Sequence, residues 1–431
     1  MTRRAGSVLV VAVAVVAFGP RQAHAQRPLS LVAAQAEARA NAPETAELQA
    51  RIAGAEALAA QASRRLREDL TISSSYVQGS LVGRPDERAW NLGFSQPFDI
   101  SGSWRPRAAS AAADVERTRL EREDGLRSLD ERVAVAVADL ALAQRQVARS
   151  TRIADLHRIA ADAVRQQFQV GTAPQIDADS AELDFAIALA SVEQAQGDVD
   201  QSRARLARLV GRKTGGDLVV EDGPDVTEMP SSPPDFSALV ERDPRVRAAA
   251  AEVDAANFER QMFERLIAPP LSVGAGYGRQ TRDIPAGSFV GSPLAGLLTA
   301  KWTDAELVFN VSVGLPLFNR QREPRARATG RILAAEARHR IARADVRAEL
   351  ESSWAALQTA ARAFQRVAAT TAIIDRDAAF VEQAVTAGAF DTLTRTQELR
   401  RLQDAGRGVD TAVRDLRAAR AAWLRRVALS P

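Results

Sequence analysis

From Trp104 to Gln169 the only proline is Pro106, and from Arg325 to Ala387 there is none. Pro106 falls in a first helical turn, where proline is tolerated, and Gly125 is the only glycine inside the first stretch. Each stretch therefore reads as one unbroken helix, about 100 Å long at 1.5 Å per residue. No single globular core needs such a length, so both are coiled-coil elements. Alanine dominates their apolar positions, as in Val133-Ala134-Val135-Ala136-Val137-Ala138. Alanine lets helices approach closely but buries little area per residue, so such helices need many neighbours. The shorter helical segments 44–66 with 174–210, and 244–267 with 392–428, supply them. Laid end to end, each pair matches one long helix. The predicted path is a long helix that reverses at Gly171 or Gly388 and returns as a shorter one. The helix preceding each long one fills the rest of the returning column.

This arrangement occurs twice because the chain is duplicated. Pro43 and Tyr76 match Pro244 and Tyr277 at an offset of 201, Pro97 matches Pro316 at 219, and Gly171 matches Gly388 at 217. The change of offset has one location: a loop at about 82–88 in the first copy becomes about 281–304 in the second, at small entropic cost. The predicted organisation is a segment 1–25, a first repeat over 26–225 and a second over 226–431. The first repeat holds strands at about 70–80 and 89–99 and a helix hairpin 104–211; the second holds strands at about 270–280 and 305–318 and a hairpin 322–430.

The strand predictions rest on period-two alternation. Leu307, Phe309, Val311, Val313 and Leu315 alternate with Val308, Asn310, Ser312 and Gly314, and Leu271, Val273, Ala275 and Tyr277 with Ser272, Gly274, Gly276 and Gly278. Leu92, Phe94 and Phe98 face away from Asn91, Gly93 and Ser95, as Leu70, Ile72 and Tyr76 do from Thr71, Ser73 and Ser75. Soluble sandwiches alternate too. Strands of this length cross a bilayer when tilted, and Trp90 and Trp302 lie at strand or loop margins, where interfacial aromatics are expected. The reading is a sheet with a lipid face of Leu92, Phe94, Leu307, Phe309, Val311 and Val313 and a lumen face that includes Asn91, Ser95, Asn310 and Ser312. Four strands cannot close a barrel, and an open edge in lipid leaves backbone groups unpaired, so this reading forces oligomerisation. Three chains would give twelve strands.

The N-terminus carries Arg3-Arg4, an apolar run from Val8 to Phe18 and Ala23-His24-Ala25, the pattern of a secretory signal peptide over 1–25. Its removal takes three arginines and no acids, so the formal charge of +3 falls to zero and no nucleic-acid footprint is visible. With no cysteine, the exported chain must hold together without disulfides.

In these residues the chain resembles the TolC family of outer-membrane efflux ducts. The resemblance rests on Leu29-Ser30-Leu31 through Asn41-Ala42-Pro43, on Gln96-Pro97-Phe98-Asp99 with Gly102, and on Leu315-Pro316-Leu317-Phe318-Asn319-Arg320. It rests also on Val170-Gly171-Thr172 with Asp177, and on Leu206 with Leu209-Val210-Gly211. It implies a mainly helical chain whose trimer forms a twelve-stranded barrel in the outer membrane of a Gram-negative bacterium and a periplasmic α-barrel. An equatorial belt would include 212–235 and the C-terminus. The implied partners are a periplasmic adaptor and an inner-membrane pump of the RND type, with passive conduction to the exterior. The reversals Val170-Gly171-Thr172 and Ala387-Gly388-Ala389 would form the tip where the adaptor docks. Asp177 lies six residues after Gly171, the spacing of the family's entrance aspartate, which TolC carries in its second repeat, where this chain has Thr394. Asp177, Asp179 and Asp391 are the candidates for an acidic constriction; the same residues also suit a helix N-terminal turn. Ser101-Gly102-Ser103-Trp104-Arg105 and Pro316-Leu317-Phe318-Asn319-Arg320-Gln321 look most like the CzcC-like branch that serves heavy-metal cation pumps.

No catalytic or cofactor-binding constellation stands out. Only His157 and His339 remain after the signal, and two histidines without cysteine cannot form the usual zinc site. Gly274, Gly276 and Gly278 fall at every second position of a strand and precede no helix, unlike a phosphate loop. Ducts for type I protein secretion or drug efflux share the architecture. A periplasmic coiled-coil scaffold without a pore would explain the helices but not four strands repeated in register.

Overall fold

The computed structural model describes residues 28–66, 69–78, 88–216, 218–221, 232–266, 271–285, 299–314, 322–386 and 392–427. The signal segment 1–25, the second reversal with Ala387, Gly388, Ala389 and Asp391, and the stretch Leu315 to Arg320 lie outside these residues.

The two long helices are α3 (Trp104–Gln169, 66 residues) and α7 (Arg322–Thr386, 65 residues). The shorter ones are α1 (Leu31–Asn41), α2 (Pro43–Ala62), α4 (Gln175–Leu209), α5 (Phe236–Arg242), α6 (Pro244–Arg265) and α8 (Thr392–Val427). With 20 and 35 residues, α2 and α4 lie along α3; with 22 and 36, α6 and α8 lie along α7. The two halves join because α6 and α8 also pack on α3. The result is a wall of four columns: α2 with α4, then α3, then α6 with α8, then α7. Small residues fill its seams, with Ala136, Ala141, Ala143, Ala188, Ala195, Ala248 and Ala251 all buried. Gly125 has a specific cause, since a Cβ there would stand 2.8 Å from Leu48 Cδ1 of α2.

Each composite column has a joint where its two helices meet, and the joints differ. At the first, α4 ends in Val210 and Gly211 (φ +77°), and a side chain at Gly211 would run into the backbone of Asn41, whose carbonyl carbon lies 2.7 Å from the Cβ position. Ala34, Ala38, Ala42, Leu206, Val210 and Val220 form its core. Ion pairs ring it: Arg212 with Glu37 at 2.6 Å, Arg132 with Glu44 at 2.9 Å, and Arg39 with Asp130.

At the second joint Asp243 caps α6 by accepting from the Arg245 backbone N–H at 2.9 Å. There α8 ends in Arg425 and Arg426. Arg425 reaches Glu131 at 2.9 Å and Asp124 at 3.4 Å on α3; Arg426 and Arg245 share Glu349 of α7, the latter at 2.8 Å. Burial pushes the Glu349 carboxyl up, but its hydrogen bonds from Arg245 and the charges of Arg426, Arg245 and Arg425 outweigh this and hold it below its ordinary value. Arg426 is itself shifted down, by burial and by its neighbours Arg245 and Arg425. The network therefore favours the acid and charges the cost to the crowded arginine. Trp354 and Trp423, ring centroids 5.1 Å apart, pack beside it with Val240, Val246 and Leu416.

The strands β1 (Thr71–Gln78), β2 (Arg88–Phe98), β3 (Leu271–Pro285) and β4 (Thr299–Val313) form one antiparallel sheet in chain order. The second hairpin is taller than the sequence indicates. Residues 281–285 and 299–304, predicted as loop, are strand, pairing from Thr281 with Thr303 to Pro285 with Thr299. The Thr281 and Thr303 hydroxyls meet at 3.4 Å. The last strand is described as far as Val313, and the predicted continuation over 315–318 lies outside the described residues.

Candidate functional site

Directly opposed residues of an antiparallel pair share a face, so the register sorts the sheet into two faces. One carries Ile72, Leu92, Phe94, Tyr277, Leu307, Phe309, Val311 and Val313, since Leu92 pairs with Tyr277 and Tyr277 with Leu307, while Ile72, Phe94, Ala275 and Phe309 form the next row. These side chains are exposed, Phe309 by 74% and Leu307 by 63%. The other carries Ser73, Ser75, Asn91, Gly93, Ser95, Gly274, Gly276, Gly278, Glu306, Asn310 and Ser312. The predicted apolar and polar sets thus fall on opposite faces, in one register, from both copies of the repeat. Trp90 lies within β2 on the apolar face, its ring edge-on to Tyr277 at 5.5 Å.

At the far end of α3 the chain reverses as predicted. Val170 donates to the Gln166 carbonyl, Gly171 N–H to Phe168 at 2.9 Å and Thr172 N–H to Gln167 at 2.8 Å, with Gly171 left-handed at φ +77°. This is the glycine-terminated helix stop that returns otherwise orphaned carbonyls to partners. No atom lies within 4 Å of a Cβ built on Gly171, so the glycine answers to φ alone. Val170 is 74% exposed, as Ile176 is by 69%, although nothing local requires apolar groups there. Asp177 stands in the first turn of α4, which has no side-chain cap, and Asp179 is exposed one turn edge away. Asp177 and Asp179 share α4 but, two residues apart, point to different sides of it; Asp391 lies outside the described residues.

Where the sheet meets the helices, the Asp99 carboxylate accepts from the Ser101 N–H at 2.9 Å and from the hydroxyls of Ser101 and Ser103, both at 2.5 Å. Gly102 takes φ +69° and its carbonyl accepts from Arg265 at 3.2 Å, while Arg107 donates to the carbonyls of Ala62 and Arg64. This knot ties β2, α2, α3 and α6. The sequence reading had the Asp99 to Arg105 stretch only as a family motif; its serine spacing, a side-chain turn signal, points to the local fold.

A model of the family described as outer membrane efflux protein matches residues 35–212 and 236–428. Among solved structures, the outer-membrane channel OprN is similar at 21% identity with a TM-score of 0.71, over 92% of this chain and 89% of that one. CusC is similar at 14% identity, TM-score 0.71, over 92% and 91%. The open state of the Neisseria gonorrhoeae MtrE outer membrane channel matches at 17% identity, TM-score 0.70, over 92% and 88%. At such identities the likeness speaks for the fold. No curated protein matches the sequence closely enough to stand as a relative.

Proposed function

Because the chain belongs to the outer membrane efflux protein family, we propose that three copies close into a duct that passively conducts cargo delivered by an inner-membrane pump through a periplasmic adaptor. The observation that carries this is a coincidence of open edges. The sheet ends at β1 and β4, the helical wall ends at the α2/α4 column and at α7, and β1 follows α2 as β4 precedes α7. Among the described residues, both lateral edges of the chain are therefore without a neighbour from sheet to helices. They also carry exposed apolar side chains, Leu58, Leu183 and Ile187 on one and Leu333, Ile341 and Phe380 on the other. Unpaired strand edges are untenable in lipid, and three copies of a four-stranded sheet give a barrel wide enough for a lumen.

The chain has no cysteine, so single cysteines placed in β1 and β4 report edge contacts cleanly. Crosslinking in membranes gives dimers and then trimers; a stable inserted monomer overturns the reading. Arginine at Phe309 or Val311 costs about 2–4 kcal/mol near the bilayer midplane. Arginine at Asn310 or Ser312 instead leaves assembly intact and changes single-channel conductance. Equal damage at both sets means the faces have been misassigned.

The cargo reading is finer. Likeness to the CzcC-like branch over Ser101 to Arg105 supports heavy-metal cations, and Asp304 and Glu306 on the polar face of β4 suit cations. A host lacking the chain would lose metal tolerance while keeping drug tolerance; the reverse favours drug efflux, and loss of a secreted protein favours type I secretion. The reversal at Val170, Gly171 and Thr172, with its exposed apolar groups, is the proposed adaptor contact, joined by Ala387, Gly388 and Ala389. Tryptophan at Thr172 abolishes efflux while trimers still form. Asp177, with Asp179 or Asp391, is proposed as an acidic ring produced by threefold symmetry. Asp177→Asn then weakens cation selectivity, whereas an unchanged channel assigns the residue to the α4 macrodipole.

A further inference from the structure

The apolar face of the sheet does not stop with its strands. Phe98 closes β2 on that face, and Leu66, Leu70 and Ile100 continue an exposed apolar surface past the last sheet residues on the side of the helices. Next to it stand two guanidinium groups, Arg65 at 4.9 Å and Arg105 at 5.4 Å from the Trp104 ring centroid, within cation–π reach. Arg64 adjoins them, held by its carbonyl to Arg107 at 2.7 Å. All three arginines are exposed, and among the described residues no carboxylate is paired with any of them.

The fold accounts for only part of this patch. Arg64 and Arg65 follow the C-terminus of α2, where a cation suits the helix macrodipole. Arg105 sits in the first turn of α3, a turn without an acidic residue, where the macrodipole disfavours a cation. The Asp99 carboxylate at the same helix start and the Trp104 ring offset that placement, while among the described residues no carboxylate pairs with the Arg105 guanidinium itself. The order of groups, exposed aliphatic side chains, then an indole, then a pair of guanidinium forks, follows the order of a lipid leaflet from acyl chain to headgroup.

We infer that this patch binds the headgroup phosphate of an anionic phospholipid in the periplasmic leaflet of the outer membrane, with the acyl chains over Ile100, Leu66 and the apolar sheet face. The planar guanidinium fork matches phosphate oxygens bidentately, and the ring of Trp104 holds two such forks before any ligand arrives. Continuity with the lipid face of the sheet selects a lipid over a soluble anion. The excess of positive charge selects an anionic headgroup over a zwitterionic one, whose own ammonium competes for the phosphate.

The test uses the assembled protein in neutral detergent, titrated with phosphatidylglycerol or phosphatidylethanolamine and read by native mass spectrometry. Each arginine near an anionic headgroup contributes roughly a factor of five in binding, so Arg65→Gln/Arg105→Gln weakens phosphatidylglycerol binding ~30-fold. Removal of the same charge far down α8, in Arg400→Gln/Arg401→Gln, leaves binding unchanged. Raised salt weakens binding to the unmodified protein, a readout that stands if the double variant fails to assemble. Three results overturn the inference: equal binding of the two lipids, undiminished phosphatidylglycerol binding by the double variant, or displacement of the lipid by millimolar inorganic phosphate, which would mark a soluble-anion site.

Discussion

The two joints solve one geometric problem with different chemistry at their centres, although the first also carries ion pairs at its rim. In the first copy of the repeat the helix ends are brought so close that Gly211 abuts the backbone of Asn41, and the core is built of alanine, valine and leucine. In the second copy the ends stand around an ionic network of Arg245, Arg425, Arg426, Glu349, Asp124 and Glu131, with Trp354 and Trp423 as bulk. Duplication preserved where the helices go and left free how the ends are sealed. A backbone contact is insensitive to pH and salt but intolerant of any added atom. An ionic seal tolerates side-chain change around it but depends on every charge keeping its partner.

That contrast can be broken most forcefully at the tryptophans. Trp423→Ala removes a nearly fully buried ring and costs about 3–5 kcal/mol; hydrogen exchange should lose protection in α6 and the end of α8 while the first joint keeps its own. Gly211→Ala is expected to cost about 3 kcal/mol, combining a left-handed φ with a backbone overlap. The same change at Gly171, with the same φ and open space around it, costs only about 1 kcal/mol. Equal losses at the two glycines would show that φ alone matters at the first joint. Glu349→Gln is a smaller effect, about 1 kcal/mol, because the carboxylate is partly exposed and its pairs are screened. The pH dependence follows the same sign: the folded carboxyl lies below its ordinary value, so its contribution is complete above that ordinary value and is lost as pH falls through the lowered folded one. Protection factors, corrected for the intrinsic pH dependence of amide exchange, should therefore fall at the second joint on acidification before those at the first; a simultaneous fall would dissolve the distinction.

The helices were legible because they are defined by what they lack. A run such as Trp104 to Gln169, whose one proline falls in the first turn, needs no tertiary information, and its observed ends fall at the expected residues. The sheet faces were legible for a related reason, since one apolar and one polar face impose alternation, as at Leu307 to Ser312. The extra rungs at 281–285 and 299–304 were not, because Thr281-Arg282-Asp283-Ile284-Pro285 does not alternate between apolar and polar residues, and Thr299-Ala300-Lys301-Trp302-Thr303 alternates out of phase with Leu307 to Ser312. The second joint was hidden for another reason. Arg425 finds Asp124 and Glu131 some three hundred residues away, and along one helix each of these charges reads as a solvated face. The hydrogen bonds of the Asp99 knot were not legible, because serine hydroxyls show their targets only once the turn is closed.

The glycines on the polar face of the sheet carry a last consequence. Gly93 sits directly opposite Gly276, and at Gly274 the Asn310 amide and the Phe94 carbonyl occupy the space a side chain would need. When a sheet curls into a tube its inner circumference is shorter than its outer one, so inward groups are crowded while outward groups are spread apart. Glycine on the concave side thins the wall where crowding is worst. In the proposed trimeric duct the bore at that level would be set by peptide backbone and a few amides rather than by side-chain length, and Gly274→Ala would act on the curvature of the tube before it acted on anything passing through it.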